Sequence, residues 1–116
     1  MPKADVTKMP FAKLYPLLVA KVERKGRTRE EVDQVTTWLT GYTPQELSQL
    51  EQSDTSYGDF FRNAPAMNPD RALITGKICG IRVEEIEDPL MRDIRYLDKL
   101  VDELSKGKAM EKILPT

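Results

Sequence analysis

Apolar residues recur at helical spacing along most of the chain. The first such set lies on one face of a predicted helix and consists of Phe11, Leu14, Tyr15, Leu18 and Val22. Pro16 interrupts this pattern, because proline lacks the backbone N–H that a helix needs. The sequence therefore allows a helix kinked at Pro16 or a short turn at 10–14 followed by a helix. Either form ends at Lys25, before Gly26.

Two capping boxes mark the start of the next helices. Thr28 stands three residues before Glu31, and Thr43 stands three residues before Glu46, with a proline between them at the first helical position. The two helices turn apolar side chains inward, namely Val32, Val35, Trp38, Leu39, Leu47 and Leu50. Trp38, Phe60 and Phe61 are read as core residues.

The last predicted helix is the longest. Asp88 caps it, Pro89 opens it, and it runs to about Ser105. Its apolar stripe steps by four and three residues and consists of Leu90, Ile94, Leu97, Val101 and Leu104. The spacing of Asp88 and Arg92 predicts an attractive pair on the outer face.

Residues 74–83 contain enough β-branched side chains for two interpretations. One is a pair of strands around Gly76 and Gly80. The other is a helix that continues to about Cys79, with Gly80 directly after its end. We favour the helix, because an isolated two-stranded hairpin is only marginally stable.

These elements predict an all-α fold, a compact bundle of four to six helices with a long C-terminal helix and a possible minor β element near 74–83. Residues 1–9 are polar and unpatterned and are expected to form a flexible arm. Residues 10–116 are expected to form a single helical domain, which suits a chain of 116 residues.

Composition removes several classes of site. One cysteine excludes an intramolecular disulfide, and the absence of histidine excludes Ser-His-Asp catalysis and histidine zinc sites. The longest apolar run has four residues, so we expect no membrane span. The N-terminus carries no apolar signal core, which favours the cytoplasm. We expect no cofactor and no metal.

Charge is unevenly spread although its sum is −1. Residues 1–29 hold eight Lys/Arg against two Asp/Glu, whereas residues 30–70 hold one against eight. The densest basic stretch predicts a candidate polyanion or nucleic-acid site, formed by Lys21, Arg24, Lys25, Arg27 and Arg29. The alternative without a binding function is a solvated helix end beside acidic neighbours, and we favour this alternative.

Cys79 is the one candidate nucleophile, and Lys77 and Arg82 are the cations near it in the sequence. These three residues are also the candidate binding loop. A small apolar role for Cys79 is favoured, because free cysteine is commonly buried. The acidic run at 84–88 offers carboxylates for a hard cation, but negative charge before a helix N-terminus is stabilising without a metal.

Long stretches of the chain resemble a known family. They are "YPLLVAKVERKGRTREEVDQVTTWLTGYT" (15–43), "FFRNAPAMNPDRALITGK" (60–77) and "CGIRVEEIEDPLMRDIRYLDKLVDELSKGKAMEKIL" (79–114). They are similar to the bacterial family known as domain of unknown function 2200. The resemblance implies a bacterial single-domain protein and brings no activity, cofactor or catalytic residue.

The sequence thus favours a non-enzymatic binding or adaptor module whose partner is another protein. The module is expected to be a monomer or a homodimer. Nucleic-acid or polyanion binding through residues 21–29 is the first alternative. An enzyme that uses Cys79 or the 84–88 carboxylates is the second.

Overall fold

A computed structural model describes residues 6–78 and 80–114. Within these ranges the chain forms six α-helices and one two-stranded sheet, which confirms the predicted mainly helical fold. The helices are α1 (Phe11–Glu23), α2 (Arg29–Thr40), α3 (Pro44–Leu50), α4 (Tyr57–Arg62), α5 (Pro89–Ser105) and α6 (Met110–Ile113). Three 3-10 helices, Val6–Lys8, Pro69–Leu73 and Val83–Glu85, join them.

The predicted caps determine where several helices begin. Thr28 and Thr43 each accept the backbone N–H three residues on, and Glu31 and Glu46 return the bond, so both capping boxes are present. Ser56 caps α4 by accepting the backbone N–H of Asp59 at 3.1 Å. These side chains satisfy backbone donors that would otherwise be unpaired at a helix start.

Helix α1 runs through Pro16 without a break, so the alternative of a separate turn at 10–14 is wrong. Pro16 is exposed and lies on the outer side of the helix, where the loss of its N–H removes one backbone hydrogen bond. The helix ends at Glu23, two residues earlier than predicted, with Arg24 as its C-cap. Gly26 follows with φ of 82°, a conformation that glycine adopts without strain.

The favoured helix at 74–79 is wrong, and the strand alternative is correct. Strands β1 (Lys77–Ile78) and β2 (Ile81–Arg82) pair antiparallel after a short 3-10 helix that ends at Leu73. Gly76 has φ of 111°, which a continuous helix does not allow. The hairpin is not isolated, since β1 packs against α5. A hairpin that is only marginally stable in isolation is stabilised here by packing against a helix.

Helix α5 occupies the centre of the fold and contacts α1, α2, α4 and α6. Its predicted stripe is buried at Ile94, Leu97, Val101 and Leu104, whereas Leu90 at its first turn is partly buried. Amphipathic helices gain most of their stability from such packing. The side chains of Asp88 and Arg92 form no ion pair among the described residues, and the Asp88 carboxylate instead accepts the backbone N–H of Leu90.

Aromatic rings fill the opposite part of the core. Phe11 stacks on Phe60 with ring centroids 4.4 Å apart and on Tyr15 at 4.8 Å. Phe60 and Phe61 are buried as predicted, whereas Trp38 is only partly buried. Large aromatic side chains contribute much of the buried apolar area of a small core.

The first residues that the structure describes pack against α4. The 3-10 helix Val6–Lys8 contacts α4, and the carbonyl of Met9 accepts the backbone N–H of Tyr57 at 2.7 Å. Residues 1–5 of the predicted arm lie outside the described residues. The division into an arm at 1–9 and a domain at 10–116 stays a prediction.

Candidate functional site

The basic stretch at 21–29 is partly consumed by ion pairs within the chain. Lys21 Nζ lies 3.4 Å from Asp102 Oδ1, which joins α1 to α5. Arg27 Nε donates to Glu31 at 3.0 Å, and Arg27 Nη1 donates to the carbonyl of Lys108 at 2.8 Å. Both cations are therefore engaged in holding elements together.

Arg29 is the most constrained of these cations. Its guanidinium pairs with Glu51 and lies 3.5 Å from Asp33 Oδ2. The same group lies 5.7 Å from the centre of the Tyr15 ring, within cation–π range. Arg29 thus connects α2 to α1 and to the end of α3.

Tyr15 carries a buried hydroxyl group next to this cluster. The hydroxyl donates to Asp33 Oδ1 at 2.6 Å and lies 3.2 Å from Thr36 Oγ1. Burial, and then the hydrogen bond to Asp33, raise the pKa of Tyr15 far above its usual value. The phenol therefore stays protonated and acts as a hydrogen-bond donor between α1 and α2.

Arg24 and Lys25 are the members of the stretch that face solvent. Within the described part of the chain, neither side chain makes a hydrogen bond or an ion pair. Two of the five predicted residues therefore retain cationic groups that are available to a partner.

Lys77 and Arg82 face each other across the hairpin. Arg82 Nη1 lies 3.8 Å from Glu84 Oε1. The carbonyl of Lys77 accepts a hydrogen bond from Lys99 Nζ at 3.3 Å. No hydrogen bond or ion pair between described residues joins this pair to Arg24 or Lys25. Cys79, the predicted third member of the loop, lies outside the described residues.

The carboxylates at 84–88 serve different local roles. Glu84 accepts the backbone N–H of Gly76 at 3.1 Å, and Asp88 caps α5. No group of three or more His, Cys, Asp or Glu side chains converges as a metal site within residues 6–78 and 80–114. The described geometry gives Glu84 and Asp88 a role in a turn and a cap.

An apolar groove, which we call the α1 groove, lies between α1, α4 and α5. Its apolar walls are Val6, Leu14, Leu17, Leu18, Tyr57 and Ile94, and its volume is about 150 Å³. Leu17 is 59% exposed, although it is a large apolar side chain. A groove with an exposed leucine at its edge is suited to an apolar side chain of a partner.

Two charged side chains complete the α1 groove. Arg95 Nη1 donates to Asp98 Oδ2 at 2.9 Å, and both residues line the recess. Burial raises the pKa of Asp98, and the neighbouring Arg95 opposes that shift. Because the two charges are paired, the groove presents little net charge of its own.

Exposed residues beside the α1 groove form a stripe along α1. Lys13, Leu17, Ala20 and Arg24 follow the spacing i, i+4, i+7 and i+11, and all four are exposed. We call them the α1 stripe. It combines two apolar side chains, of which only Leu17 is large, with a cation at each end.

Sequence reasoning missed Leu17 as a functional candidate. The signal was present in the run Leu17-Leu18-Val19-Ala20, which is wider than one buried helix face. Val19 is buried, whereas Leu17 and Ala20 are exposed. A four-residue apolar run on a short helix necessarily places some of its members on the outer side.

Comparisons with known proteins indicate the family and no activity. A family model described as uncharacterized protein conserved in bacteria (DUF2200) matches residues 5–115. A crystal structure of uncharacterized protein SP1917 is similar with a TM-score of 0.92 and 54% identity, covering 97% of this chain and 93% of that chain. No curated protein matches. Among the described residues, no helix is long and apolar enough to span a bilayer.

Proposed function

We propose that this chain, which belongs to the family of uncharacterized proteins conserved in bacteria (DUF2200), is a non-enzymatic binding module that engages a partner protein through the α1 groove and the α1 stripe. The proposal places it in the bacterial cytoplasm, where a single cysteine stays a thiol. The exposure of Leu17 at the edge of the α1 groove is the observation that carries this proposal.

The apolar part of the surface sets the first requirement for the partner. Leu17 is 59% exposed, and the α1 groove beside it is lined mainly by apolar side chains. Covering such a side chain and filling such a groove is favourable by roughly 25 cal/mol per Å² of apolar area. The partner therefore presents at least one large apolar side chain.

Charge sets the second requirement. Lys13 and Arg24 flank Leu17 on the α1 stripe, and Lys25 lies next to Arg24. None of these three side chains makes an ion pair in the part of the chain that the structure describes. Complementary charges steer association and select partners. We therefore propose a partner segment that carries carboxylates on both sides of its apolar anchor.

A matched pair of substitutions tests this proposal. Leu17→Asp places a carboxylate at the edge of the α1 groove, whereas Leu73→Asp makes the same change at a leucine that is 60% exposed and lies outside the groove. Tagged wild-type protein and both variants are used to enrich partners from a lysate of the source bacterium. Quantitative mass spectrometry compares the three sets, and thermal unfolding verifies that all three proteins are folded.

We expect one protein to be enriched by the wild type and by Leu73→Asp, and to be lost with Leu17→Asp. A partner that Leu17→Asp retains would contradict the proposal, as would the absence of any enriched protein. Sedimentation of the purified wild type and of Leu17→Asp measures whether the chain associates with a second copy of itself. If the wild type is a dimer that Leu17→Asp dissociates, the occupant is a second copy, and a different partner protein is ruled out.

Polyanion binding is a second candidate, because Arg24 and Lys25 remain unpaired among the described residues while their basic neighbours are engaged. The double variant Arg24→Gln, Lys25→Gln would then weaken binding to short DNA or RNA. The affinity would also fall steeply with salt. The enzymatic alternative, with Cys79 or the 84–88 carboxylates, stays a prediction that Cys79→Ser and a divalent-metal requirement can test.

A further inference from the structure

We propose that a second recess, between the 3-10 helix Pro69–Leu73 and the first turns of α5, binds a small organic molecule through its carboxylate or phosphate group. We call it the α5 recess, and its volume is about 430 Å³. Its apolar walls are Pro69, Ala72 and Pro89, and its polar side chains are Arg71, Arg92, Asp93 and Tyr96. The site is independent of the α1 groove.

Local sequence signals build both walls of the α5 recess. Asn68 caps the 3-10 helix by accepting the backbone N–H of Asp70 at 2.8 Å, and Asn68 Nδ2 donates to the carbonyl of Trp38. The other wall is α5, on which Pro89, Arg92 and Tyr96 are spaced i, i+3 and i+7 and so share a face. Both walls are therefore fixed before any ligand arrives.

Arg71 is held in place on one side of the α5 recess. Its Nε donates to Asp93 Oδ1 at 3.1 Å, and its Nη1 donates to the carbonyl of Asn68 at 2.8 Å. These bonds leave Nη2 without a partner among the described residues. They also neutralise Asp93, so Arg92 leaves the lining of the recess with an excess of positive charge.

Arg92 and Tyr96 are the observations that point to a ligand. The Tyr96 side chain lines the α5 recess and is only 5% exposed, and its hydroxyl group, which no described residue bonds, is accessible to solvent. Arg92 is half-buried, and its guanidinium likewise has no hydrogen-bond or ion-pair partner among described residues. Donors that lack a protein partner are available to a ligand, and a guanidinium has five of them.

The chemistry of these groups defines the ligand. Arg92, Arg71 Nη2 and the Tyr96 hydroxyl can all donate, which suits the oxygen atoms of a carboxylate or a phosphate. The start of the long helix α5 adjoins the recess at Pro89 and adds positive potential. The prolines, Ala72 and the Tyr96 ring accommodate an apolar portion of the same molecule. The recess thus favours a small organic oxyanion over an inorganic one.

Titrations with two probes test the proposal and separate its two sources. Sodium phosphate and sodium benzoate are each added at constant ionic strength, with chloride as the replaced anion. Binding is followed by NMR of the backbone amides and of the arginine Nε–H groups. Arg92→Gln removes the unpaired cation, Tyr96→Phe removes only the hydroxyl group, and Lys112→Gln is the control at an exposed cation outside the recess that has no partner among the described residues.

We expect at least one probe to shift the NMR signals of residues in the α5 recess, and the shifts to saturate as the probe concentration rises. Arg92→Gln should weaken that binding by about tenfold, as expected when a charge-assisted hydrogen bond is lost. Tyr96→Phe should weaken binding without lowering the anion-free melting temperature, because no hydrogen bond of the hydroxyl is lost. Response to benzoate alone assigns a carboxylate, and response to phosphate alone assigns a phosphate.

Three results would overturn the proposal. Neither probe shifts the NMR signals of the recess up to the solubility limit, or Lys112→Gln weakens binding as much as Arg92→Gln does. In the third, Tyr96→Phe destabilises the anion-free protein and leaves probe affinity unchanged, which would give the hydroxyl a structural role. A failure of the partner experiment on the α1 groove would not affect any of these readouts.

Discussion

Tyr15 places a hydroxyl group inside the core, where Asp33 and Thr36 are its partners. Asp33 is 8% exposed and also lies 3.5 Å from Arg29. A buried carboxylate that loses a donor retains its desolvation cost. At the scale of single residues, this cluster is therefore a structural connection between α1 and α2.

Tyr15→Phe should lower the free energy of unfolding by about 1.5–3 kcal/mol, because it leaves the Asp33 carboxylate one hydrogen bond short. Tyr42→Phe is the control, since the Tyr42 hydroxyl donates to a neutral carbonyl, that of Phe60, at 2.8 Å. Its expected cost is about 0.5–1.5 kcal/mol. Urea unfolding of both variants measures the difference. Equal costs would contradict the structural role of the Tyr15–Asp33 bond.

Glu31 contributes to the free energy of unfolding in a pH-dependent way. The hydrogen bond from Arg27 is the main cause that lowers the pKa of Glu31 in the folded protein. A carboxylate with a lowered folded-state pKa stabilises the protein above its unfolded pKa, and this contribution is lost as the pH falls through the folded pKa. Glu31→Gln retains the capping geometry, because glutamine also serves at this position of a capping box.

Glu31→Gln should therefore be less stable than the wild type at pH 7, by less than about 1 kcal/mol. The difference should close as the pH is lowered from about 5 through the folded pKa of Glu31. Denaturant unfolding across this range provides the measurement. A difference that persists unchanged in acid would show that the charge of Glu31 is not its source.

At the scale of elements, helix starts could be predicted from the sequence because their signals are local. Thr28, Thr43 and Asp88 all cap the helices that were expected to follow them. A cap involves residues within one turn, so three or four letters contain the whole interaction. The apolar stripe of α5 could also be predicted, because its helical period repeats along a helix of seventeen residues.

The hairpin at 77–82 could not be predicted in this way. Its stability depends on α5, which begins seven residues after it, and on the burial of Ile78 and Val83. Lys99 on α5 also donates to the carbonyl of Lys77. Local propensity was ambiguous here, and tertiary packing decided the outcome.

Gly41 shows how an element end depends on a distant residue. It ends α2 with φ of 83°, and a Cβ there would lie 2.9 Å from Ala66 Cβ and 3.0 Å from Ala66 N. Gly26 also has a positive φ, of 82°, but a Cβ there would meet no non-local atom of the described residues within 4 Å. A side chain at Gly26 would therefore cause backbone strain alone, whereas a side chain at Gly41 would cause both backbone strain and a steric clash with Ala66.

Gly26→Ala should cost about 1–2 kcal/mol from the left-handed conformation alone. Gly41→Ala should cost clearly more, because the added methyl group also displaces the backbone of Ala66. Urea midpoints of the two variants give the comparison. If both variants lose the same stability, the contact between Gly41 and Ala66 does not constrain the end of α2.

At the scale of the whole molecule, folding divides the basic stretch into two groups. Lys21, Arg27 and Arg29 pair with carboxylates of other turns and helices, whereas Arg24 and Lys25 remain exposed. The pair of Arg29 and Glu51 spans 22 residues of sequence. Charge counting along the chain cannot reveal such pairs, because it does not indicate which cations fold against which anions.

The candidate surfaces are also properties of the whole fold. The α1 groove needs α1, α4 and α5, and the α5 recess needs the 3-10 helix Pro69–Leu73 beside α5. Neither follows from residue spacing on a single element. Only the partners they require, an apolar anchor with carboxylates and a small oxyanion, follow from the side chains once these are in place.

The central claim is that the α1 groove is a protein-binding surface. The most direct measurement is the ratio of partner captured by Leu17→Asp to that captured by Leu73→Asp, at equal protein concentration and with both variants folded. The account predicts a ratio near zero. A ratio near one, with the same partner enriched by both variants, would contradict it.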